Sequence, residues 1–126
     1  MSETHSFASQ LRGPTQTIKA GEFLIREGEP GKTLFWLVKG VVSVFRLAGG
    51  QELALGRIEA PDILGEMSFL DKQPRCATVR AETDCEFVEI ANQKMDGVFA
   101  EQPAWFRYLI LVLVARLRNA NLQVKT

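Results

Sequence analysis

From Thr15 onward, apolar residues arrive in short runs separated by turn formers. The runs are Thr17–Lys19, Phe23–Arg26, Leu34–Val38, Val41–Leu47, Gln51–Ile58, Cys76–Ala81 and Cys85–Ile90. Between them stand Ala20-Gly21, Gly28-Glu29-Pro30-Gly31, Lys39-Gly40, Gly49-Gly50 and Pro61-Asp62. In the sixth run Ala77, Val79 and Ala81 alternate with Thr78, Arg80 and Glu82, the period of a half-buried strand. Short strands at this spacing predict a mainly β domain over 15–91, a two-sheet sandwich or jelly roll. Gly49-Gly50 sits between two runs as the turn of a tight hairpin. Phe23, Phe35, Trp36, Phe45 and Phe87 supply bulky filling for the space between the sheets, with Trp36 and Phe45 the aromatics that could instead meet a ligand. Residues 1–14 are polar and contain Gly13-Pro14, which predicts an irregular or helical lead-in.

The period changes at Asn92. Asn92 is a suitable N-cap for a helix over Gln93–Ala100, and Gln102-Pro103 interrupts it. Pro103 then suits the start of a second helix, Ala104 to about Gln123. Trp105, Tyr108, Leu109, Val112, Leu113, Leu117 and Ala120 form a stripe at three- and four-residue steps, expected to pack on the β domain. Ile110, Leu111 and Val114 carry apolar character round the cylinder, and Leu122 continues it. One domain face does not cover all of that, so the C-terminal region 92–126 is expected to pair with a second copy, with Ile110, Val114 and Leu122 at the seam and Arg116 and Arg118 beside it. The alternative is a helix buried wholly in its own domain.

Composition narrows the function. At 126 residues the chain has room for one domain with its own core. Fifteen basic and fifteen acidic residues cancel, so no overall field favours nucleic acid or an anionic membrane. Cys76 and Cys85 match no metal spacing and fit reduced thiols of a cytoplasmic protein. No signal-peptide pattern is present, and the apolar run Leu109–Ala115 is too short to span a bilayer. His5 is the single histidine, which removes a histidine metal cluster and any Ser-His or Cys-His nucleophile pair from the body of the domain. Gly31-Lys32-Thr33 imitates the end of a triphosphate-binding loop, but Arg26 stands where that motif needs glycine, and Leu34–Val38 reads as a buried strand where it needs a helix.

The chemistry concentrates in Leu64–Val79. Gly65 lets a backbone approach a ligand closely. Glu66–Leu70 has no Gly, Pro or β-branched residue and fits one helical turn, whose first N–H groups are unpaired and seat an anion. Pro74 disfavours helix at Gln73, and Arg75 follows at the mouth of the strand with a planar fork suited to phosphate. An ionised Glu66 only accepts hydrogen bonds, so it repels that phosphate unless it faces a hydroxyl of the same ligand. The stretch therefore asks for a phosphate with a neighbouring hydroxyl. The plain alternative is a strand–turn–strand with an exposed Glu and Arg.

Gly65, Glu66, Ser68, Arg75, Ala77, Thr78 and Val79 resemble the phosphate-binding cassette of the cyclic nucleotide-binding domains of protein kinase A regulatory subunits and the catabolite activator family. Gly28, Gly31 and Gly40 fit that family's turn glycines, and the resemblance covers roughly 15–125. Leu64, Phe69 and Cys76 depart from the usual Phe, Leu and small residue. The resemblance implies a jelly-roll β-roll, or double-stranded β-helix, with C-terminal α-helices and a cassette at 64–79. It implies a ligand, cAMP or cGMP, with no metal and no catalysis.

By the same resemblance Gly65, Glu66, Met67, Ser68, Arg75, Cys76 and Ala77 bind the nucleotide. Glu66 accepts the ribose 2′-hydroxyl, Arg75 holds the cyclic phosphate, and the N–H groups of Ser68 and Cys76 complete the cradle. Phe69 and Met95 fall at the hinge, and Asn119 and Asn121 lie where a closing last helix reaches the base; ordinary core and solvated helix polars are the alternatives. A thiol at Cys76 donates weakly where a hydroxyl would bind guanine, which tilts the expectation toward cAMP; Cys76 is also either a redox-sensitive thiolate or an inert one. The expected protein is a cytoplasmic, non-enzymatic sensor acting on an unidentified effector. It is expected to bind neither membrane nor, since the sequence ends where activator-family members begin a helix-turn-helix, DNA. The alternative is a degenerate β-roll that dimerises or binds a protein without nucleotide.

Overall fold

The computed structural model describes residues 14–124, apart from the side chains of Phe69, Asn92, Lys94 and residues 121–124. The expectations for the lead-in before Pro14 and for the side chains of Phe69 and Asn121 lie outside the described residues. Among the described residues there are eight strands: β1 Thr15–Ile18, β2 Phe23–Ile25, β3 Thr33–Lys39, β4 Val41–Ala48, β5 Gln51–Glu59, β6 Asp62–Leu64, β7 Thr78–Ala81 and β8 Cys85–Ala91. The helices among the same residues are α1 Glu66–Asp71, α2 Asn92–Ala100 and α3 Ala104–Val124.

The strands form two antiparallel four-stranded sheets, ordered β1-β8-β3-β6 and β2-β7-β4-β5. This is the β-roll with C-terminal helices that the pattern and the resemblance implied. β4 and β5 pair down to Ala48 opposite Gln51, which leaves Gly49 and Gly50 as a two-residue turn with φ of 60° and 83°. Both positive angles are those the right-handed twist of a hairpin demands. Two strand expectations need correction. β6 was not read, because three residues of Asp-Ile-Leu show no period. β7 starts at Thr78, two residues later than the apolar pattern suggested, since Cys76 and Ala77 are occupied in the cassette.

Two apolar layers hold the sheets. Ile25, Phe35, Leu37, Val42, Leu64, Val79, Ala81, Cys85 and Phe87 fill the interior of the roll. Leu34, Trp36, Val88 and Ile90 form a second cluster, with Ile63 and Met95 packed against it. β3 thus sends Phe35 and Leu37 into one layer and Leu34 and Trp36 into the other. A strand covered on both faces reads as an unbroken apolar run, as Leu34–Leu37 does. Phe35 and Phe87 meet edge to face at 5.7 Å inside the roll. Phe23, expected in the core, is instead exposed on the short β2, its ring beneath the guanidinium of Arg26 at 4.2 Å.

The helical boundaries differ slightly from the sequence reading. Asn92 is the first residue of α2 rather than its cap; Ala91 holds the cap position in extended conformation, without a side-chain capping bond. Pro103 immediately precedes α3, its carbonyl accepting the N–H groups of Phe106 and Arg107 at 3.0 and 3.1 Å.

The expected face of α3 is reversed. Val114, placed at an intermolecular seam by the sequence reading, is buried at 4% exposure. Arg107, Ile110 and Arg118 are half-buried on the same side, one and two turns away. The stripe expected against the roll faces outward: Trp105, Tyr108, Leu109, Leu113 and Leu117 are exposed. Apolar count misleads here. What docks α3 is a narrow row of aliphatic residues ended by an arginine whose charge has a partner.

Candidate ligand-binding site

β6 delivers the chain to Gly65, and α1 begins immediately after it. Gly65 has φ 84°, left-handed, and an added Cβ would stand 2.4 Å from Nη1 of Arg75. A second glycine is fixed from across the site: a Cβ on Gly31 would lie 2.2 Å from Cβ of Ser68. Only glycine allows the β2–β3 turn to pack on α1 and the α1 entry to pack on Arg75. α1 ends at Lys72, left-handed with φ 60°, whose N–H donates to the Ser68 carbonyl at 3.0 Å. Gln73 N–H donates to Asp71 Oδ1 at 3.0 Å, which turns the chain toward Pro74 and Arg75.

Arg75 returns under the glycine turn. Its N–H donates to the Glu29 carbonyl at 2.8 Å and its carbonyl accepts the Gly28 N–H at 2.9 Å. Its guanidinium is buried, donating from Nη2 to the Thr33 carbonyl at 2.9 Å and from Nη1 to the Gly65 carbonyl at 3.4 Å. The group lies 5.6 Å from the ring centre of Phe35. Among the described residues no carboxylate forms an ion pair with it. Burial lowers its pKa, opposed by the more distant charges of Glu29, Cys76, Glu66 and Glu89. A buried cation whose hydrogen bonds go to neutral carbonyls retains an unmatched charge, which burial makes costly.

The cassette lines a cavity of about 340 Å³, within the range of small-ligand sites. Gly65, Glu66, Met67, Ser68, Arg75, Cys76 and Ala77 all line it, so every ligand-binding residue expected from the cassette meets in one place. Ser68 is buried and Cys76 half-buried. Burial of its carboxyl raises the pKa of Glu66, Asp62 adds to the rise, and its own backbone N–H and Arg75 oppose it. The residue as a whole remains exposed at the cavity rim.

Sequence reasoning missed the opposite wall, supplied by Ile25, Val44, Leu55, Gly56, Arg57 and Ile58. These residues read only as strand faces; the signal available was the alternation of β5, whose ligand side cannot be told from its core side without the fold. Asn119 is exposed on α3 and does not line the cavity. Met95 packs on the outer layer with Leu34, Trp36, Val88 and Ile90. Trp36 lies in that same layer, and neither it nor Phe45 lines the cavity.

A second missed feature ties the cassette to the helices. Arg118 of α3 donates from Nε and Nη2 to the two carboxylate oxygens of Asp71 at the end of α1, and from Nη2 to the Pro74 carbonyl at 3.3 Å. Its side chain was expected beside an intermolecular seam; it points inward instead, and the bond to Asp71 raises its pKa. Lys72 pairs with Asp96 of α2. The end of α1 is therefore bound by charge to both C-terminal helices.

Residues 15–102 match the protein-family model described as the cyclic nucleotide-binding domain. The chain is 33% identical over 103 residues to the cAMP-activated global transcriptional regulator CRP of Pasteurella multocida, covering 80% of this chain and 49% of that protein. It is 31% identical over 102 residues to the CRP-like cAMP-activated global transcriptional regulator of Mycobacterium tuberculosis, covering 80% and 46%. The chain thus spans about half the length of these regulators. Among solved structures, the cAMP-bound form of the EAL enzyme Bd1971 superposes with TM-score 0.84 at 26% identity, over 89% of this chain and 30% of that one. The catabolite activator protein of Thermus thermophilus superposes with TM-score 0.74 at 27% identity, over 99% and 59%. Among the described residues no helix is long and apolar enough to cross a membrane. Fold, glycine-gated cassette and family match agree: the chain belongs to the cyclic nucleotide-binding domain family.

Proposed function

We propose that this domain is a non-enzymatic sensor that binds a 3′,5′-cyclic mononucleotide and reports occupancy through its C-terminal helices. The observation that carries this is Arg75, buried without an anionic partner among the described residues in the wall of the cassette cavity. Two of its five N–H donors are held by carbonyls; a cyclic phosphate supplies the missing charge. Glu66 at the rim of the same cavity is the acceptor for a ribose 2′-hydroxyl, and Ser68 and Cys76 offer backbone N–H groups between the two. Nothing in the cassette is arranged to activate water, so the ligand is held and released unchanged. Relatives whose names record activation by cAMP support cAMP as the ligand to test first.

Signalling follows from the links of α1. Phosphate capture that moves Gly65 and α1 also moves Asp71 and Lys72, and with them Arg118 and Asp96. The outward face of α3 is where a second copy pairs, Trp105, Tyr108, Leu109 and Leu113 forming a self-complementary seam. Calorimetric titration with cAMP and cGMP tests the reading. Each charge-assisted bond from Arg75 contributes roughly 1.5–3 kcal/mol, so Arg75→Ala is expected to weaken binding about a hundredfold. Unaltered affinity in that variant, or no heat with either nucleotide on the wild type, refutes the assignment.

A further inference from the structure

Behind the cassette lies a second cavity of about 300 Å³, lined by Glu27, Arg46, Gln73, Pro74, Arg75, Cys76 and Arg118. It shares only Arg75 and Cys76 with the first, so the end of the cassette loop divides the two. Arg46 enters it from β4. Its Nε is buried and is the one such side-chain atom without a hydrogen-bond partner among the described residues. Arg46 as a whole is half-buried, so it is this one N–H and not the whole guanidinium that lacks a protein partner; an ion or a water is the ordinary partner for such a group. Arg118 supplies a second guanidinium to the same wall, and the Gln73 amide is a neutral donor beside them. The acidic group present, Glu27, has Oε1 committed to the Leu47 N–H at 3.1 Å and forms no ion pair with Arg46.

The geometry points to a second anion subsite, for a small free oxyanion of the phosphate class, held by Arg46 and Arg118 on the far side of the cassette loop from the nucleotide cavity. The dividing loop is the reason for a free ion and not a substituent of the nucleotide. Such an ion competes with Asp71 for Arg118, so its binding loosens the link between α1 and α3 as it fills Arg46. The site shares the Arg75 and Cys76 wall with the first cavity but takes the groups that would hold the ion, Arg46 and Arg118, from outside it.

Inorganic phosphate is the probe, added to protein saturated with cAMP so that the cassette seat is blocked, against chloride at equal ionic strength. Phosphate at about ten times its dissociation constant is expected to raise the unfolding midpoint by about 5–10 °C. Arg46→Met is expected to abolish that rise while retaining the nucleotide affinity measured separately by calorimetry. No rise in the wild type, or an equal rise in Arg46→Met, overturns the subsite. Should Arg46→Met not fold, Arg46→Gln reads the same loss, and an unbroadened phosphate ³¹P signal on the wild type overturns the proposal alone. If cAMP does not bind, the nucleotide reading is refuted and the subsite is decided by phosphate alone, as the difference in midpoint rise between wild type and Arg46→Met, since the Arg75 seat is common to both; an equal rise overturns it.

Discussion

Arg118→Met offers a direct measure of how tightly the cassette is tied to α3. The Arg118 and Asp71 side chains are 18% and 16% exposed, and the carboxylate takes two donors from one guanidinium. An exposed ion pair contributes roughly 0–1 kcal/mol, whereas breaking a fully buried one costs about 3–5 kcal/mol. This pair lies between, and we expect a loss of about 2 kcal/mol, or about 8 °C in the midpoint of a domain this size. Methionine keeps much of the aliphatic stem, so lost volume contributes little. Asp71→Asn keeps an acceptor for the Gln73 N–H and removes the charge. Urea unfolding of both single variants and the double variant closes a cycle, in which the coupling is expected to be about 1.5 kcal/mol. Amide exchange in the second half of α3 is expected to accelerate in both single variants. A coupling below about 0.5 kcal/mol, the error of simple additivity, refutes the link and leaves α3 held by Ile110 and Val114 alone.

Two further outcomes follow from the same geometry. Because burial raises the Glu66 pKa, its folded value lies above its unfolded one: stability of the free domain is expected to fall as pH rises through that window, where the folded state holds the proton longer. Ligand binding needs the ionised form, so calorimetric affinity for cAMP is expected to fall as pH drops through the raised value; Glu66→Gln is expected to flatten both profiles, and unchanged profiles would remove Glu66 from the cavity. On the outer face of α3, Leu109→Glu is expected to turn a dimer into a monomer in sedimentation velocity without lowering the unfolding midpoint of the monomer. A monomeric wild type at micromolar concentration, with and without cAMP, sinks the pairing.

The β-roll was legible because its information is local. Gly49-Gly50 fixes a hairpin, the unbroken Leu34–Leu37 run announces a strand covered on both faces, and Gly65 through Ser68 with Arg75 mark the residues that line the cassette cavity. Each rests on residues within about one turn or one strand of one another. The opposite cavity wall was not legible, because Val44, Leu55 and Ile58 are ordinary strand positions until the sheets curl and choose a side. Arg46 was invisible for the same reason: a charged residue inside a strand pattern reads as a solvent-facing position, and only the fold reveals that its Nε is buried.

The reversal of α3 has a more specific cause. Almost every position from Trp105 to Leu117 other than Arg107 and Arg116 is apolar or aromatic, so hydrophobicity alone barely distinguishes one face from another. The deciding residues are charged. Arg118 reaches Asp71 and Pro74, and Arg107 turns inward to the Gln102 carbonyl at 3.1 Å. Those two arginines, eleven positions and three turns apart, set the rotation of the helix, and Ile110 and Val114 fall between them on the docked face. The larger residues Trp105, Tyr108 and Leu109 are then directed away from the roll. A helix oriented by one ion pair and one arginine–carbonyl bond, and bearing its bulk outward, has one face for the cassette and leaves the other open to a partner. Under the proposed pairing, movement of α1 is expected to reach the outer face through the Arg118–Asp71 link, and burial of that face by a second copy is expected to feed back on the position of Asp71.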